Sequence, residues 1–448
     1  KTGLLNTFTY MGGLSGSTWY INPLVASGQQ PITYLQTLIN NLQKAPYGRE
    51  ALGVRLPSTK ELYHLARDVA VKLAYSQPVN ALDIYGFLLS NELLSGMDSA
   101  KKLGGGKKQG FKMSDLAHNL EQAAYPLPVS TALEVSEAPL TKWFEFTPYD
   151  IGTYQAGMQA YVPTWAFGRK YNDGRSVTAP PELTLGFLMG ICGSAFAIDF
   201  WGIMHEIVGK LSKVLPAQAY ARLEESLSEL KEKMHDPELQ EEHRAIMTGK
   251  RIFSTRKDRH GMVIRKLTGG KTYNFTTRMA NQRMSGYHNM LLVDGGHEIK
   301  KIPFRNEWDR LNLGVMPLLR PERKVDLLII CDASGGTLGT ALGAVETRAR
   351  EDNFVFPPIS QAEYTSAGVE LVSTFGANNP AVPTVVYIPG RLDDTAKSFS
   401  GTLNFKYSEQ QIRYLSDITC TQFERSAPAI RQAIYDTIMK KRLAKSSD

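Results

Sequence analysis

At 448 residues, 42% hydrophobic and 21% charged, the chain has an ordinary globular composition and can bury a large core, as one big α/β domain or as two or three smaller domains. A net charge of +7 favours an anionic partner, either nucleic acid or an acidic membrane surface. The three cysteines, Cys192, Cys331 and Cys420, stand far apart with no Cys-x-x-Cys pair. That excludes a zinc site and a disulfide framework, and points to buried free thiols in a reducing compartment.

In chain order, Lys1–Leu5 reads as the tail of a helix leading into a β-type run, Asn6–Tyr10. The chain is therefore expected to begin inside a fold, with a segment upstream. Gly12-Gly13-Leu14-Ser15-Gly16-Ser17-Thr18-Trp19 follows. A serine with a glycine two places before it and another directly after it fits a sharp strand-to-helix turn that holds a hydroxyl out, the flanking glycines being read as relief from crowding. A plain small-residue turn is the competing reading.

Ile32, Leu35, Leu38, Ile39 and Leu42 then recur at helical spacing. Ser58 with Glu61 has capping-box spacing and opens a helix with Leu62, Leu65, Ala66, Val69 and Leu73 on one face. Lys101–Lys108, glycine- and lysine-rich and followed by Lys112, reads as a loop. Trp143–Asp150 is aromatic and strand-like up to Pro148. Leu183–Met204 is long enough to span a membrane, but its glycines and Asp199 favour a buried core segment. From Pro216 to Met247 a charged helix carries the stripe Leu223, Leu227, Leu230, Met234, broken at Asp236-Pro237. A basic section, Arg256 to Lys266, comes next, and Asn274-Phe275-Thr276 is a glycosylation sequon.

Three apolar runs follow, each ending in a turn: Met290–Val293 before Asp294-Gly295-Gly296, Val325–Cys331 before Asp332, and Thr384–Ile388 before Pro389-Gly390. Continuous apolar runs alternating with helices predict a mostly parallel central sheet covered on both faces. In such sheets functional residues gather at carboxyl ends of strands, where Ser15, Asp294 and Asp332 fall. Two amphipathic helices, Ile412–Phe423 and Ala427–Leu443, close the chain. A serine hydroxyl needs a base to become a nucleophile. The candidates are Asp294, Asp332 and, as the one serviceable imidazole, His297.

Four stretches carry a resemblance. Gly13–Trp19, Glu145-Phe146-Thr147-Pro148-Tyr149, Gly193-Ser194-Ala195-Phe196, and Val293–Gly296 with Pro317–Leu327 occur in the order found in the cytosolic phospholipase A₂ and fungal phospholipase B (lysophospholipase) family. The resemblance runs over essentially the whole chain. It implies an α/β, patatin-like three-layer sandwich with a helical cap: residues 1–200 and 291–448 as catalytic core, 201–290 as cap. It implies a Ser-Asp dyad with Ser15 as nucleophile and Asp294 as base, acting on fatty-acyl esters of glycerophospholipids through an acyl-serine. The family's oxyanion donors come from a glycine-rich loop ahead of the nucleophile strand, expected here in a segment upstream of Lys1. No metal or cofactor is expected, since no Asp/Asn-rich calcium loop is present. The expected partners are phospholipid and an anionic membrane surface, with no nucleic acid, because no nucleic-acid-binding motif accompanies the basic charge. The expected location is cytoplasmic and peripheral on membranes, secretion being undecided without the upstream residues. The alternative is a silent lipid-binding or interaction protein on the same scaffold.

Overall fold

The computed structural model describes residues 4–43, 57–95, 97, 110–121, 123–137, 140–155, 158–248, 269–301, 308–334, 339–367, 370–400 and 407–445. The lysine-glycine run 101–108, the basic section 256–266 and Lys1–Gly3 lie outside them. The chain divides into two units, Lys1–Gln240 with Asp258–Gly295, and Glu241–Lys257 with Gly296–Asp448.

In the first unit the strand expected over Asn6–Tyr10 comes later. Leu4–Thr7 is a 3₁₀ turn, and β1 runs Tyr10–Leu14. The strands β2 (Leu127–Glu134), β3 (Lys142–Phe146), β4 (Asp150–Thr153), β5 (Ala160–Pro163), β6 (Gly270–Tyr273) and β7 (Asn289–Asp294) join it in a seven-stranded sheet of order β5-β4-β3-β2-β7-β6, with β1 also paired to β2. Only the β1–β2 pairing is parallel; all the others in this sheet are antiparallel. The expectation of a mostly parallel central sheet is therefore corrected. Every residue of β3 is buried, Lys142 and Glu145 included, but burial does not set strand direction. Connection length does. Thr147–Tyr149 alone separates β3 from β4, and a parallel crossover needs about a dozen residues.

Helices α1 (Thr18–Ser27), α2 (Pro31–Gln43), α3 (Thr59–Ala74) and α4 (Ala81–Leu93) lie between β1 and β2 in the chain. The capping box at α3 is formed: Ser58 N donates to Glu61 Oε2 at 2.7 Å and Glu61 N to Ser58 Oγ at 3.4 Å. On α2, Ile32 is exposed and Tyr34 is buried instead. Buried Lys72 of α3 pairs with buried Asp83 of α4 and lies 3.5 Å from the Phe187 ring centroid. Burial pushes the lysine down and the aspartate up from their ordinary values, against their mutual attraction.

The stretch Leu183–Met204 does not form one helix. It breaks into α5 (Leu185–Cys192), a 3₁₀ segment Ser194–Phe200, and the start of α6 (Trp201–Leu211), with a 97° bend between the halves. Among the described residues no single helix is long and apolar enough to cross a membrane. All of α5 is buried, and its glycines are the contact surface. A Cβ on Gly86 of α4 would lie 2.3 Å from Gly186 O, and one on Gly186 2.5 Å from Gly86 O.

α7 (Ala217–Met234) buries Leu223, Leu227 and Leu230. It stops where expected: α8 (Pro237–Thr248) starts afresh, with Asp236 Oδ1 accepting from Glu238 N at 3.0 Å and Leu239 N at 3.1 Å. Lys112 is not part of a solvated loop. Its Nζ donates to Glu182 O at 2.6 Å, and burial pushes it down. The sequon asparagine, Asn274, is fully buried, its Nδ2 donating to Met284 O at 2.7 Å and Tyr287 O at 2.9 Å. In the folded chain it is inaccessible to glycosylation.

In the second unit, β8 (Ile299–Lys301) pairs antiparallel with β9 (Trp308–Arg310). β10 (Leu327–Asp332) runs parallel to β12 (Thr384–Pro389), and β11 (Ser373–Phe375) antiparallel to it. α9 (Thr340–Glu351) buries Arg348, which reaches Glu298 at 2.7 Å and Asp352 at 2.8 Å. The two closing helices are one, α10 (Glu409–Lys445), which runs through Pro428. Ser426, Ala427 and Ile430 are buried around the proline, so packing holds the axis where propensity alone would end it. Of the cysteines, Cys192 is buried as expected, but Cys331 and Cys420 are exposed. Cys331 sits on an outward position of the edge strand β10, and Cys420 on the open face of α10.

Gly86→Ala is expected to destabilise the first unit by roughly 1–3 kcal/mol, because the new methyl meets rigid backbone and not a movable side chain. A lowered thermal midpoint checks it. Asp83→Ala, which strands Lys72, is expected to be worse, on the order of 3–5 kcal/mol.

Candidate active site

One strand edge assembles the site. β3 occupies one edge of β2 along Ser130–Glu134. The opposite edge is shared by two strands. β1 covers Leu127–Thr131, running parallel, and β7 covers Ala132–Glu134, running antiparallel. They advance head-on and meet where Leu14 stands beside Thr131 and Asp294 beside Ala132. Neither can continue along the edge, so both chains turn out of the sheet there.

The turn after β1 places Ser15 at φ +51°, a left-handed conformation that costs a non-glycine residue on the order of 1–2 kcal/mol. Ser15–Ser17 form a 3₁₀ turn that feeds directly into α1. Thr18 Oγ1 donates to Ser15 O at 2.7 Å, and Asn22 Nδ2 of α1 to Ser130 Oγ of β2 at 2.9 Å. The flanking glycines differ in surroundings. A Cβ on Gly13 would come within 2.9 Å of Ile21 Cδ1, whereas one on Gly16 would meet nothing within 4 Å. The Gly13 contact is to the movable end of a side chain and Gly16 lies exposed beside the hydroxyl, so crowding does not demand glycine at either position.

Ser15 Oγ donates to Asp294 Oδ2 at 2.7 Å. The serine is partly exposed and the carboxylate is 1% exposed. The bond is direct, with no imidazole between the two groups. After Asp294, a Cβ on Gly295 would lie 2.9 Å from Trp143 Cζ3 and 3.1 Å from Leu14 Cδ1, so the turn leaving β7 requires glycine. Buried Tyr85 and Cys192 are neighbours of the carboxylate. Burial, and after it the charge of Asp294, pushes both well up from their ordinary values, which keeps them protonated.

The rival acid is occupied. Asp332, fully buried in the second unit, accepts from Ser334 N at 2.8 Å on Oδ1 and from the Tyr387 hydroxyl at 2.6 Å on Oδ2. It fastens the end of β10 to β12. His297 is buried in the second unit. Sequence reasoning gave no role to Ser194, whose Oγ accepts the Asp294 backbone N–H at 3.0 Å. The only signal for it was its place in the Gly193–Phe196 motif.

A hydroxyl on a strained strand-to-helix turn, bonded to a buried carboxylate, is equipment for acyl transfer by a serine hydrolase. The chain belongs to the lysophospholipase catalytic domain family, whose profile matches residues 1–345. It is 23% identical over 425 residues to mouse cytosolic phospholipase A2 epsilon, covering 89% of this chain and 45% of that protein. It is 26% identical over 419 residues to human cytosolic phospholipase A2 zeta, covering 87% and 45%. The chain thus spans under half the length of these curated relatives. Among solved structures, human GIVD cytosolic phospholipase A2 superimposes with TM-score 0.66 at 18% identity, covering 98% of this chain and 59% of that one. The same enzyme in complex with methyl γ-linolenyl fluorophosphonate gives 0.59, covering 98% and 55%. At these identities the structural likeness shows a shared α/β fold.

Asp332→Asn is expected to lower the stability of the second unit by about 1–3 kcal/mol through its weakened buried hydrogen bonds, while Ser15 keeps its reactivity toward a fluorophosphonate. Loss of labelling in this variant would return Asp332 to candidacy.

Proposed function

We propose that this protein is a lipid acyl hydrolase of the phospholipase A₂ and lysophospholipase type, with Ser15 as nucleophile and Asp294 as base. The 2.7 Å bond from Ser15 Oγ to Asp294 Oδ2 carries this reading. It spans 279 positions of sequence and lies within the reach that proton transfer requires.

In the first half-reaction Ser15 Oγ attacks the carbonyl carbon of a glycerophospholipid ester as its proton passes to Asp294. The tetrahedral oxyanion collapses, the C–O bond to glycerol breaks, and the leaving oxygen takes the proton from Asp294. An acyl-serine remains. Water then adds to it, giving a proton to the same carboxylate, and collapse returns that proton to Ser15 Oγ as the fatty acid leaves. One carboxylate thus serves both halves as base and acid, and every proton borrowed is returned. The strained φ at Ser15 keeps the hydroxyl clear of the strand so that an ester can approach it.

The finer fold reading belongs to the same proposal. The core is a patatin-like three-layer sandwich; of the cap expected over 201–290, the helical part is proposed as cap, since Gly270–Tyr273 is β6 of the seven-stranded sheet. The working location is cytoplasmic and peripheral, at an anionic membrane surface toward which the +7 net charge is drawn.

In the full natural chain, Ser15→Ala is expected to abolish both fluorophosphonate labelling and fatty-acid release from phospholipid vesicles. Asp294→Ala is expected to lower both by roughly a hundred- to ten-thousandfold, the range for removing a general base. Labelling found elsewhere than Ser15, or near-normal turnover in Asp294→Ala, defeats the dyad. A wild-type chain that binds vesicles but neither labels nor releases fatty acid defeats the enzyme reading altogether.

A further inference from the structure

The Gly193–Ser194 turn touches the helix that follows Ser15 and the backbone of Asp294. On the nucleophile side, Trp19 stands on α1, one helical turn past Ser15. Its indole ring lies directly over Gly193, where an added Cβ would come within 2.2 Å of Trp19 Cζ2. Trp19 Nε1 donates to Met189 O at 3.0 Å, which pins the ring to the last turn of α5. The ring also packs edge-on against Tyr85 and Phe196, with centroids 6.5 Å and 5.8 Å away. Tyr85 Oη donates to Gly193 O at 3.0 Å and fixes the peptide plane. On the base side, Ser194 is 4% exposed, and its Oγ accepts the N–H of Asp294 at 3.0 Å.

Asp294 is the last residue of β7, where the ladder of the sheet gives out. Its partner across the sheet is Ala132 of β2, and the pairing of β7 with β6 ends two residues earlier, at Leu292. Beyond the end of that pairing, the Ser194 hydroxyl takes the Asp294 N–H.

We propose that the Gly193–Ser194 turn is a strut that sets the distance between Ser15 and Asp294, and that Ser194 is a positioning residue for the reaction. The proposal rests on the dyad reading above. It explains the sharp bend at this point: α5 must stop at Cys192 so that the next two residues can lie between the nucleophile's helix and the base's strand. It also gives each residue type a reason. Position 193 must be glycine because an indole ring occupies its side-chain space. Position 194 needs a small side chain with an acceptor oxygen.

Fluorophosphonate labelling of the full chain, followed by intact mass and peptide mapping, tests it, with maximal rate and half-saturating concentration measured separately. Ser194→Ala is expected to slow the maximal labelling rate at Ser15 about ten- to a hundredfold, the scale set by small displacements of reacting groups. The half-saturating concentration should stay unchanged. Ser194→Thr keeps the acceptor oxygen and is expected to recover most of the rate. Ser194→Cys, nearly isosteric but a weak acceptor, is expected to resemble Ser194→Ala. Should Ser194→Ala fail to fold, the Thr and Cys pair alone decides. Wild-type rates in Ser194→Ala or Ser194→Cys overturn the proposal, and so does equal slowing in the Thr and Cys variants. Failure of the underlying dyad reading looks different, because then the wild-type chain itself does not label at Ser15.

Discussion

One edge of one strand is asked to hold two partners. β2 offers its free edge to β1 over its first part and to β7 over its last, and the two arrive from opposite directions. Backbone hydrogen-bonding positions along an edge cannot be shared, so each strand must end where the other begins. That constraint forces the left-handed turn at Ser15 and leaves Asp294 as the terminal residue of its strand. The hydroxyl and the carboxylate are thereby brought together from opposite ends of the first unit's sequence. The proposed chemistry is a consequence of where two ladders run out.

The helices of the first unit serve that junction. α1 starts from the Ser15 turn and is tied back to β2 through Asn22 and Ser130. α5 is drawn close to α4 through Gly86 and Gly186, whose missing side chains let the two backbones touch. The Gly193–Ser194 turn at the end of α5 meets Trp19 on one side and Asp294 on the other. A run of glycines that reads as helix-weakening is therefore a packing surface, and its last member ends the helix at a useful place. Tyr85 and Cys192, buried near the carboxylate, both stay protonated.

The second unit shows how similar local patterns take different roles. Asp332 follows an apolar strand and precedes small residues, as Asp294 does. Its two oxygens are spent on Ser334 and Tyr387, and it acts as a clamp between parallel strands. A strand-end aspartate is thus ambiguous until its partners are known. The same holds for the cysteines. Their apolar or helical neighbourhoods suggested burial for all three, yet two are exposed, because a residue on an edge strand or a long helix can face either way.

Local signals fixed much of this protein before any fold was known. The capping pair Ser58 and Glu61, the stop at Asp236-Pro237, the leucine stripe of α7 and the strand ahead of Asp294 depend on neighbours a few residues away, and all can be read from the chain. The serine turn and the four ordered motifs likewise singled out Ser15 and Asp294 as candidates. Tertiary structure decided which strands lie side by side, since an apolar run reports burial and says nothing of its neighbour. It decided that α10 passes through Pro428, that Asp332 is occupied, and that Ser194 holds the Asp294 amide. Each of these depends on a contact between distant parts of the chain, and periodicity carries no information about which distant residue that will be.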